Sequence, residues 1–161
     1  ATNFSASSFN SRLEAIHSSF QEYFAQNEDI RFDLIISNPP FFIDSLSSDE
    51  PSKRLARHTG HLFFEELLGY SAKHLNKEGK IILIVPLRIS QYLQDLARNH
   101  ALFLQKKISI LSFSDSIPHR EILTFGFSGQ NVEVKNFVIY NAPKQYSDEY
   151  RELLKDYFTI F

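Results

Sequence analysis

The stretch from Arg31 to Phe42, RFDLIISNPPFF, decides how the rest of this sequence is interpreted. Its first half, Phe32–Ser37, is a short apolar run that predicts a strand buried on both faces, as strands of parallel sheets are. The run stops at Asn38, and two prolines and two aromatic residues follow. Ligands bind beyond the carboxyl ends of strands in open α/β sheets, so we expect Asn38 to lie at a binding edge.

The two prolines restrict the backbone beyond this asparagine and remove local donors. A residue that precedes proline is held away from the helical region, and proline itself has no N–H. The side-chain oxygen of Asn38 and the carbonyl of Pro39 are therefore two acceptors suited to a neutral amino group, whose lone pair they would aim at an electrophile. A flipped-out base would stack on Phe41. The candidate catalytic residues are Asn38, Pro39, Pro40 and Phe41; the alternative is a rigid turn without chemistry.

The composition predicts one soluble globular domain over residues 1–161, with 43% hydrophobic and 22% charged residues. No apolar run approaches the roughly 20 residues of a membrane span. The absence of cysteine excludes thiolate sites and disulfides and agrees with a reducing, cytoplasmic compartment. The histidines show no metal-ligand spacing, so we expect no metal. A net charge of −2 restricts any contact with nucleic acid to a local patch.

The predicted elements follow the order of an α/β domain. Helices alternate with strands up to about residue 101, and three strands then follow without a helix, so we expect them to run antiparallel. The predicted strands are Leu13–His17, Phe32–Ser37, Lys80–Val85, Leu104–Phe113, Glu121–Ser128 and Val132–Tyr140. The predicted helices are Ser18–Ala25, Gly60–Asn76, Ile89–Ala101 and Ser147–Tyr157, with a long polar loop over Asn38–Thr59.

The segment DLIISNPPFF resembles the catalytic motif of class I S-adenosylmethionine-dependent methyltransferases that act on exocyclic or amide nitrogens. RLARHTGHLFFEELL, IPHREILTFGFS and FVIYNAPKQYSDEYRELLKDYF resemble later segments of the bacterial family that makes N6-methyladenosine at position 37 of valine tRNA. The Asn-Pro-Pro-aromatic motif also occurs in release-factor glutamine and ribosomal-RNA guanine methyltransferases. The region Tyr146–Tyr150 favours the tRNA family.

The resemblance covers the C-terminal two-thirds of the family. It implies a partial Rossmann-like class I methyltransferase sheet, mostly parallel with antiparallel late strands and lacking the first two strands. It also implies S-adenosylmethionine as cofactor and tRNA as partner, with Asn38 and Pro39 holding the adenine amino group and Phe41 stacking on the base. Where the family usually has an acidic residue near the cofactor adenine, this chain has Ser19 beside Phe20. The candidate cofactor contacts are thus Ser19, Phe20 and Asn38.

The beginning of the chain suggests a processed product or the C-terminal part of a catalytic domain. The chain starts at Ala1, contains no methionine, and has no glycine before Gly60. By resemblance the glycine-rich cofactor cradle and the ribose carboxylate would be missing, and we expect the fragment to be inactive alone. Phe32–Ser37 would then be a free apolar edge, which we expect to pair with a second copy or with Leu13–His17.

Two basic groups are candidate RNA contacts because cationic side chains hold phosphates without reading sequence. They are Lys53, Arg54, Arg57 and His58 after the motif, and His119 and Arg120 between two strands. A solvated helix start and a surface pair are the alternatives.

Three functions remain open. The first is N6-methylation of adenosine in tRNA. The second is methylation of a protein glutamine or an rRNA guanine through the same acceptor pair, and the third is a non-catalytic RNA-binding remnant. A strand followed by closely spaced glycines upstream of Ala1 would distinguish the enzymes from the remnant.

Overall fold

The computed structural model describes residues 2–39, 51–129 and 131–159, with backbone only for residues 2 and 51–59. The chain divides into two compact units, Ala1–Ile30 and Arg31–Phe161. The first unit contains α1 (Thr2–Ser5), a 3-10 turn at Asn10–Arg12, and α2 (Phe20–Gln26).

The predicted helix after Ser18 and Ser19 is confirmed, and Ser19 is its N-cap. The Ser19 hydroxyl accepts the N–H of Glu22 at 3.2 Å, and the Glu22 carboxylate accepts the N–H of Ser19 at 3.3 Å, a reciprocal capping box. The predicted strand Leu13–His17 is wrong, and so is its expected pairing beside Phe32–Ser37. A strand needs a partner, and all five strands of the described sheet come from the second unit.

The second unit contains the sheet and three helices, and its elements have the following bounds. The strands are β1 (Phe32–Ser37), β2 (Leu75–Pro86), β3 (Phe103–Leu111), β4 (Arg120–Gly126) and β5 (Glu133–Val138), followed by the short hairpin of β6 (Tyr140–Ala142) and β7 (Gln145–Tyr146). The helices are α3 (Pro51–His74), α4 (Leu87–Asn99) and α5 (Asp148–Leu154). The predicted polar loop Asn38–Thr59 is wrong from residue 51 onward, because α3 starts at Pro51 and proline is favoured in the first turn of a helix.

The predicted mostly parallel, Rossmann-like sheet is confirmed. Its strand order is β1-β2-β4-β3-β5. β1 runs parallel to β2, β4 runs antiparallel to both β2 and β3, and β5 runs parallel to β3, so only β4 is reversed. The expectation that the last three strands would all be antiparallel is therefore wrong for β5. Because β4 lies between β2 and β3, the outer edge of β3 is left to pair with β5.

One edge of the sheet collects the carboxyl ends of β1, β2, β3 and β5 together with the amino end of β4; we call it the carboxyl edge. The last aligned pair of β1 is Ser37 with Leu83. Arg120, the first residue of β4, is opposite Pro86 on one side and Ile110 on the other. The segment that follows β1 therefore lies on the same edge as the turn that precedes β4.

The two faces of the sheet differ in burial. Leu83, Leu123 and their neighbours on one face are completely buried, and α3 and α4 pack on these strands. On the other face, Leu34 is 49% exposed and Ile36 is 68% exposed. The prediction that β1 is buried on both faces is therefore wrong, because the described helices leave the Leu34 and Ile36 side chains uncovered.

This difference in burial predicts that shortening a side chain to alanine has a large effect on stability in β2 and a small effect in β1. Leu83→Ala removes a fully buried side chain and should lower the free energy of unfolding of the 161-residue chain by about 2–5 kcal/mol. Ile36→Ala removes an exposed side chain and should change it by less than about 0.5 kcal/mol. Urea denaturation followed by circular dichroism measures both, and equal losses would contradict the one-sided core.

Candidate active site

The strand tip predicted to carry the chemistry lies at the end of β1. Pro39 is fully buried, whereas Asn38 is exposed. The Asn38 amide makes no hydrogen bond to any residue in the ranges that the structure describes. Burial of the proline anchors the tip, so the neighbouring amide is presented to solvent on a fixed backbone. Pro40 and Phe41 lie outside the described residues.

The predicted basic contacts belong to two parts of the second unit, the turn that leads into β4 and the start of α3. His119 is exposed, and its backbone N–H donates to the Ile110 carbonyl at 3.0 Å. Arg120 is half-buried and two strand positions from β1, roughly 10 Å away at the usual strand spacing. The first turns of α3 carry Lys53, Arg54, Arg57 and His58, whose side chains lie outside the description. The sheet register thus brings His119 and Arg120 to the same edge as Asn38.

The two other predicted cofactor contacts belong to the first unit. Ser19 already holds the start of α2, and Phe20 is the first residue of that helix. The backbone N–H of Ser19, followed by the hydroxyls of Ser19 and Ser18, holds the pKa of the Glu22 carboxyl below its ordinary value. The Ser19 hydroxyl thus accepts the N–H of Glu22 and also acts on the Glu22 carboxylate, so its hydrogen bonds hold the start of α2.

A cluster of five aromatic rings, which the sequence analysis did not single out as a site, lies beyond β3 and β5. We call it the aromatic column. Its central rings are stacked, with centroids 5.0 Å apart for Tyr140 and Tyr146 and 5.0 Å apart for Tyr146 and Tyr150. Phe113 extends it from Tyr140 at 5.7 Å, and Phe137 extends it from Tyr150 at 6.1 Å. The signal in the sequence was the spacing of aromatic residues from 137 to 150, which was used only for the resemblance.

The tyrosine hydroxyls of the column influence one another. Burial raises the pKa of Tyr140 above its ordinary value, and Tyr146, which shares a hydrogen bond with it, and Tyr150 raise it further. The neutral phenol is favoured in the folded state, so its contribution to stability is complete below the unfolded pKa of tyrosine. That contribution is lost as the pH rises through the higher folded-state pKa.

An alkaline titration tests this coupling. Burial and Glu65 also raise the pKa of Tyr92, so the ultraviolet absorbance of ionised tyrosine should show two groups that titrate above the ordinary range, and Tyr140→Phe should remove one of them. Tyr157→Phe, which changes a side chain 82% exposed and outside the column, should leave both groups in place. If both groups persisted in Tyr140→Phe, the coupling would be wrong.

One buried carboxylate lies close to the carboxyl edge. Glu121 is only 3% exposed, and its Oε1 accepts a hydrogen bond from Ser109 Oγ at 3.1 Å. The Lys107 ammonium lies 3.7 Å from the same oxygen. A buried carboxylate with a hydroxyl and an ammonium beside it is compensated, so we assign Glu121 a structural role in joining β3 to β4.

Other kinds of site are not found in the described part of the chain. No group of three or more histidine, aspartate or glutamate side chains there could hold a metal ion. No helix within the described ranges is long and apolar enough to span a bilayer.

A protein-family model matches most of the chain. The model of the Eco57I restriction-modification methylase family matches residues 2–117. The chain belongs to this family. The match includes the Asn-Pro-Pro-Phe segment and α3, and it ends within the turn before β4.

Curated relatives confirm the resemblance over nearly the whole chain. A Pedobacter heparinus protein is 36% identical over 153 residues, which cover 95% of this chain and 64% of that protein. A Bacteroides thetaiotaomicron protein is 31% identical, covering 97% of this chain and 65% of its own length. Both are named tRNA1(Val) (adenine(37)-N6)-methyltransferase. The chain thus spans just under two thirds of the length of these relatives.

A solved structure supports the fold. The crystal structure of a predicted O-methyltransferase from Agrobacterium tumefaciens matches with a TM-score of 0.59 at 13% identity. The match covers 89% of this chain and 61% of that one. At this identity the likeness shows the fold alone.

Proposed function

We propose that the protein is an S-adenosylmethionine-dependent methyltransferase that acts on N6 of an adenosine in tRNA, at position 37 of valine tRNA. The observation that carries the proposal is the exposed Asn38 amide on a strand tip anchored by buried Pro39. The names of the relatives support the substrate. We also propose that both units of the chain are parts of one catalytic domain, because the relatives match nearly the whole chain.

The chemistry follows from two neutral acceptors. The Asn38 side-chain oxygen and the Pro39 carbonyl each accept one N–H of the adenine amino group, with the ring of Phe41 against the base. This holds the nitrogen lone pair toward the incoming methyl group, so catalysis rests on positioning. S-Adenosylmethionine, when bound, supplies that electrophilic methyl group. As the N–C bond formed, the bond between the methyl carbon and the sulfonium sulfur would break and its electron pair would stay on sulfur as a neutral thioether. The positively charged amino nitrogen would then lose one proton to solvent.

We propose Ser19 and Phe20, at the start of α2, as contacts for the adenine end of the cofactor. Separately, we propose Asn38, whose side chain is exposed at the end of β1, as a contact near its methyl group.

A protein glutamine or a guanine in rRNA also carries a neutral nitrogen with hydrogens that the same acceptors would hold. Cationic side chains near Asn38 favour a nucleic acid over a protein substrate, since His119 and Arg120 share its edge. We therefore place tRNA first as partner and expect the protein to work in the cytoplasm. As a second partner we propose another copy of the chain, paired along the outer edge of β1, where Leu34 and Ile36 are exposed.

The role of Asn38 can be separated from folding and RNA binding. Asn38→Ala removes one acceptor of the amino group, and we expect kcat for methylation of valine tRNA to fall by about 100-fold or more. The affinity for tRNA should change little, because phosphate contacts supply most of it. Transfer of a labelled methyl group by the full-length gene product measures kcat, and nucleoside mass spectrometry identifies the product.

The matched control is Asn136→Ala, which changes an exposed asparagine in β5. It should leave both quantities unchanged. Full activity of Asn38→Ala would remove the acceptor mechanism. A wild-type protein that binds tRNA but transfers no methyl group to it would favour the RNA-binding remnant.

The basic start of α3 predicts a change in salt dependence. Replacing both Arg54 and Arg57 by alanine should reduce the slope of log affinity against log salt by about 0.7 for each single-strand phosphate that is no longer neutralised. Arg98→Ala is the control, because Arg98 is exposed and pairs with Asp95 at 2.8 Å near the carboxyl-terminal end of α4. An unchanged slope in the double variant would remove these arginines from the site.

A further inference from the structure

The aromatic column lies on the carboxyl edge, beside the basic turn that precedes β4. Two hydrogen bonds tie the residues after β5 to those after β3: the Ile139 N–H donates to the Leu111 carbonyl, and the Tyr140 N–H donates to the Ser112 carbonyl, both at 2.9 Å. Phe113 follows directly. The Phe113 end of the column therefore lies at the start of the turn that leads to His119 and Arg120.

Local hydrogen bonds hold both ends of the column in place. Ser147 Oγ donates to the Val138 carbonyl at 2.6 Å and accepts the N–H of Tyr150 at 3.1 Å. At the other end, Ser116 Oγ donates to the Phe113 carbonyl at 2.7 Å and accepts the Phe113 N–H at 3.0 Å. The rings are thus held before any ligand arrives, which lowers the entropic cost of binding a planar ligand.

The ring in the middle of the column and the ring at its Phe113 end differ in how many neighbouring rings they contact. Tyr146 has neighbours on both sides, tilted by only 24° and 11°, so its two faces are engaged. Phe113 is tilted by 36° to Tyr140 and has no second ring contact among the described residues. It is half-buried, so part of its surface faces solvent. The Phe113 end is therefore where another planar ring can extend the column.

The charges between Asn38 and Phe113 suit a nucleic acid strand. Along the carboxyl edge β1 is followed by β2, β4 and β3, so β3 lies about 14 Å to the side of β1 at the usual strand spacing. The register puts Asn38 level with Ile108, so Phe113 lies roughly 16 Å further along the strand direction. His119 and Arg120 lie between them, and exposed Arg88 follows the end of β2. A strand crossing the edge would place phosphates at the two arginines and a base beyond them.

We propose that the Phe113 end of the aromatic column, with Tyr140 behind it, is a stacking site for an unpaired nucleobase of the same RNA whose adenosine is held at Asn38. This rests on the proposed function. Single-stranded RNA is commonly bound by stacking its splayed bases on aromatic side chains. The site selects a strand with an unstacked base at a fixed spacing from the target, which is the condition met in a loop and not in a duplex.

The test uses the full-length gene product and an RNA hairpin with the anticodon loop of valine tRNA. The fluorescent base 2-aminopurine replaces each loop base near the target adenosine in turn. Wild-type protein should quench the fluorescence strongly at one position on binding. Phe113→Leu, which keeps an apolar side chain but removes the ring, should abolish that quenching and weaken binding by about 5- to 150-fold, the range for one stacked base.

The matched control is Phe137→Leu at the opposite end of the column, which should leave the quenching and affinity unchanged. An abasic residue at the quenched position should weaken wild-type binding to the level of Phe113→Leu and cause no further loss in that variant. Coupling of this kind would not be seen if Phe113 only stabilised the fold.

The proposal is overturned if no loop position is quenched by wild-type protein, or if Phe113→Leu and Phe137→Leu weaken binding equally. If thermal melting shows that Phe113→Leu does not fold, the quenching by wild-type protein decides. Methylation of valine tRNA is measured in parallel. Methyl transfer without quenching would remove the stacking site alone, whereas loss of methyl transfer and of hairpin binding in the wild type would remove the proposed function with it.

Discussion

The position of β4 between β2 and β3 is the constraint on which the rest of the second unit depends. It places a reversed strand among four that run the other way, so the amino end of β4 lies among carboxyl ends. This arrangement places His119 and Arg120 on the carboxyl edge. It also leaves the outer edge of β3 to β5, which brings the tyrosines that follow β5 onto the same edge.

The same sheet shows which part of the fold was predictable from sequence. The apolar run Ile81–Val85, with α3 before it and α4 after it in the sequence, was sufficient to predict an α/β fold, because buried runs and helical spacing are local signals. The pairing of β5 was not predictable from the sequence, since strands that follow one another without a helix usually pair with their sequence neighbours. Both edges of β4 are already hydrogen-bonded, one to β2 and one to β3, so β5 cannot pair with β4. This arrangement belongs to the tertiary structure and has no local signal in the sequence.

Burial was also predicted less well than element type. Phe32–Ser37 has the composition of a strand covered on both faces, yet Leu34 and Ile36 are exposed. The composition of a strand indicates the burial that is typical of such sequences, whereas its actual burial depends on which layers pack against each face. The candidate site followed a similar division: Asn38 and Pro39 were singled out from a local motif, because proline restricts its neighbour directly. The aromatic column was missed, because its rings come from the segments after β3, in β5 to β7 and in α5.

Because the proposed acceptors at Asn38 and Pro39 are uncharged, other groups on the carboxyl edge would have to supply most of the binding free energy. Two hydrogen bonds to an uncharged amino group replace two hydrogen bonds to water, so they orient the nitrogen but contribute little net affinity. The cost of drawing a base out of its stack is a few kcal/mol and has to be offset elsewhere. Under the proposed function, cations that hold phosphates and rings that hold a neighbouring base would provide that free energy without touching the reacting atoms. A positioning site of this kind therefore requires binding groups at a distance, and the strand order places them along the one edge where the acceptors lie.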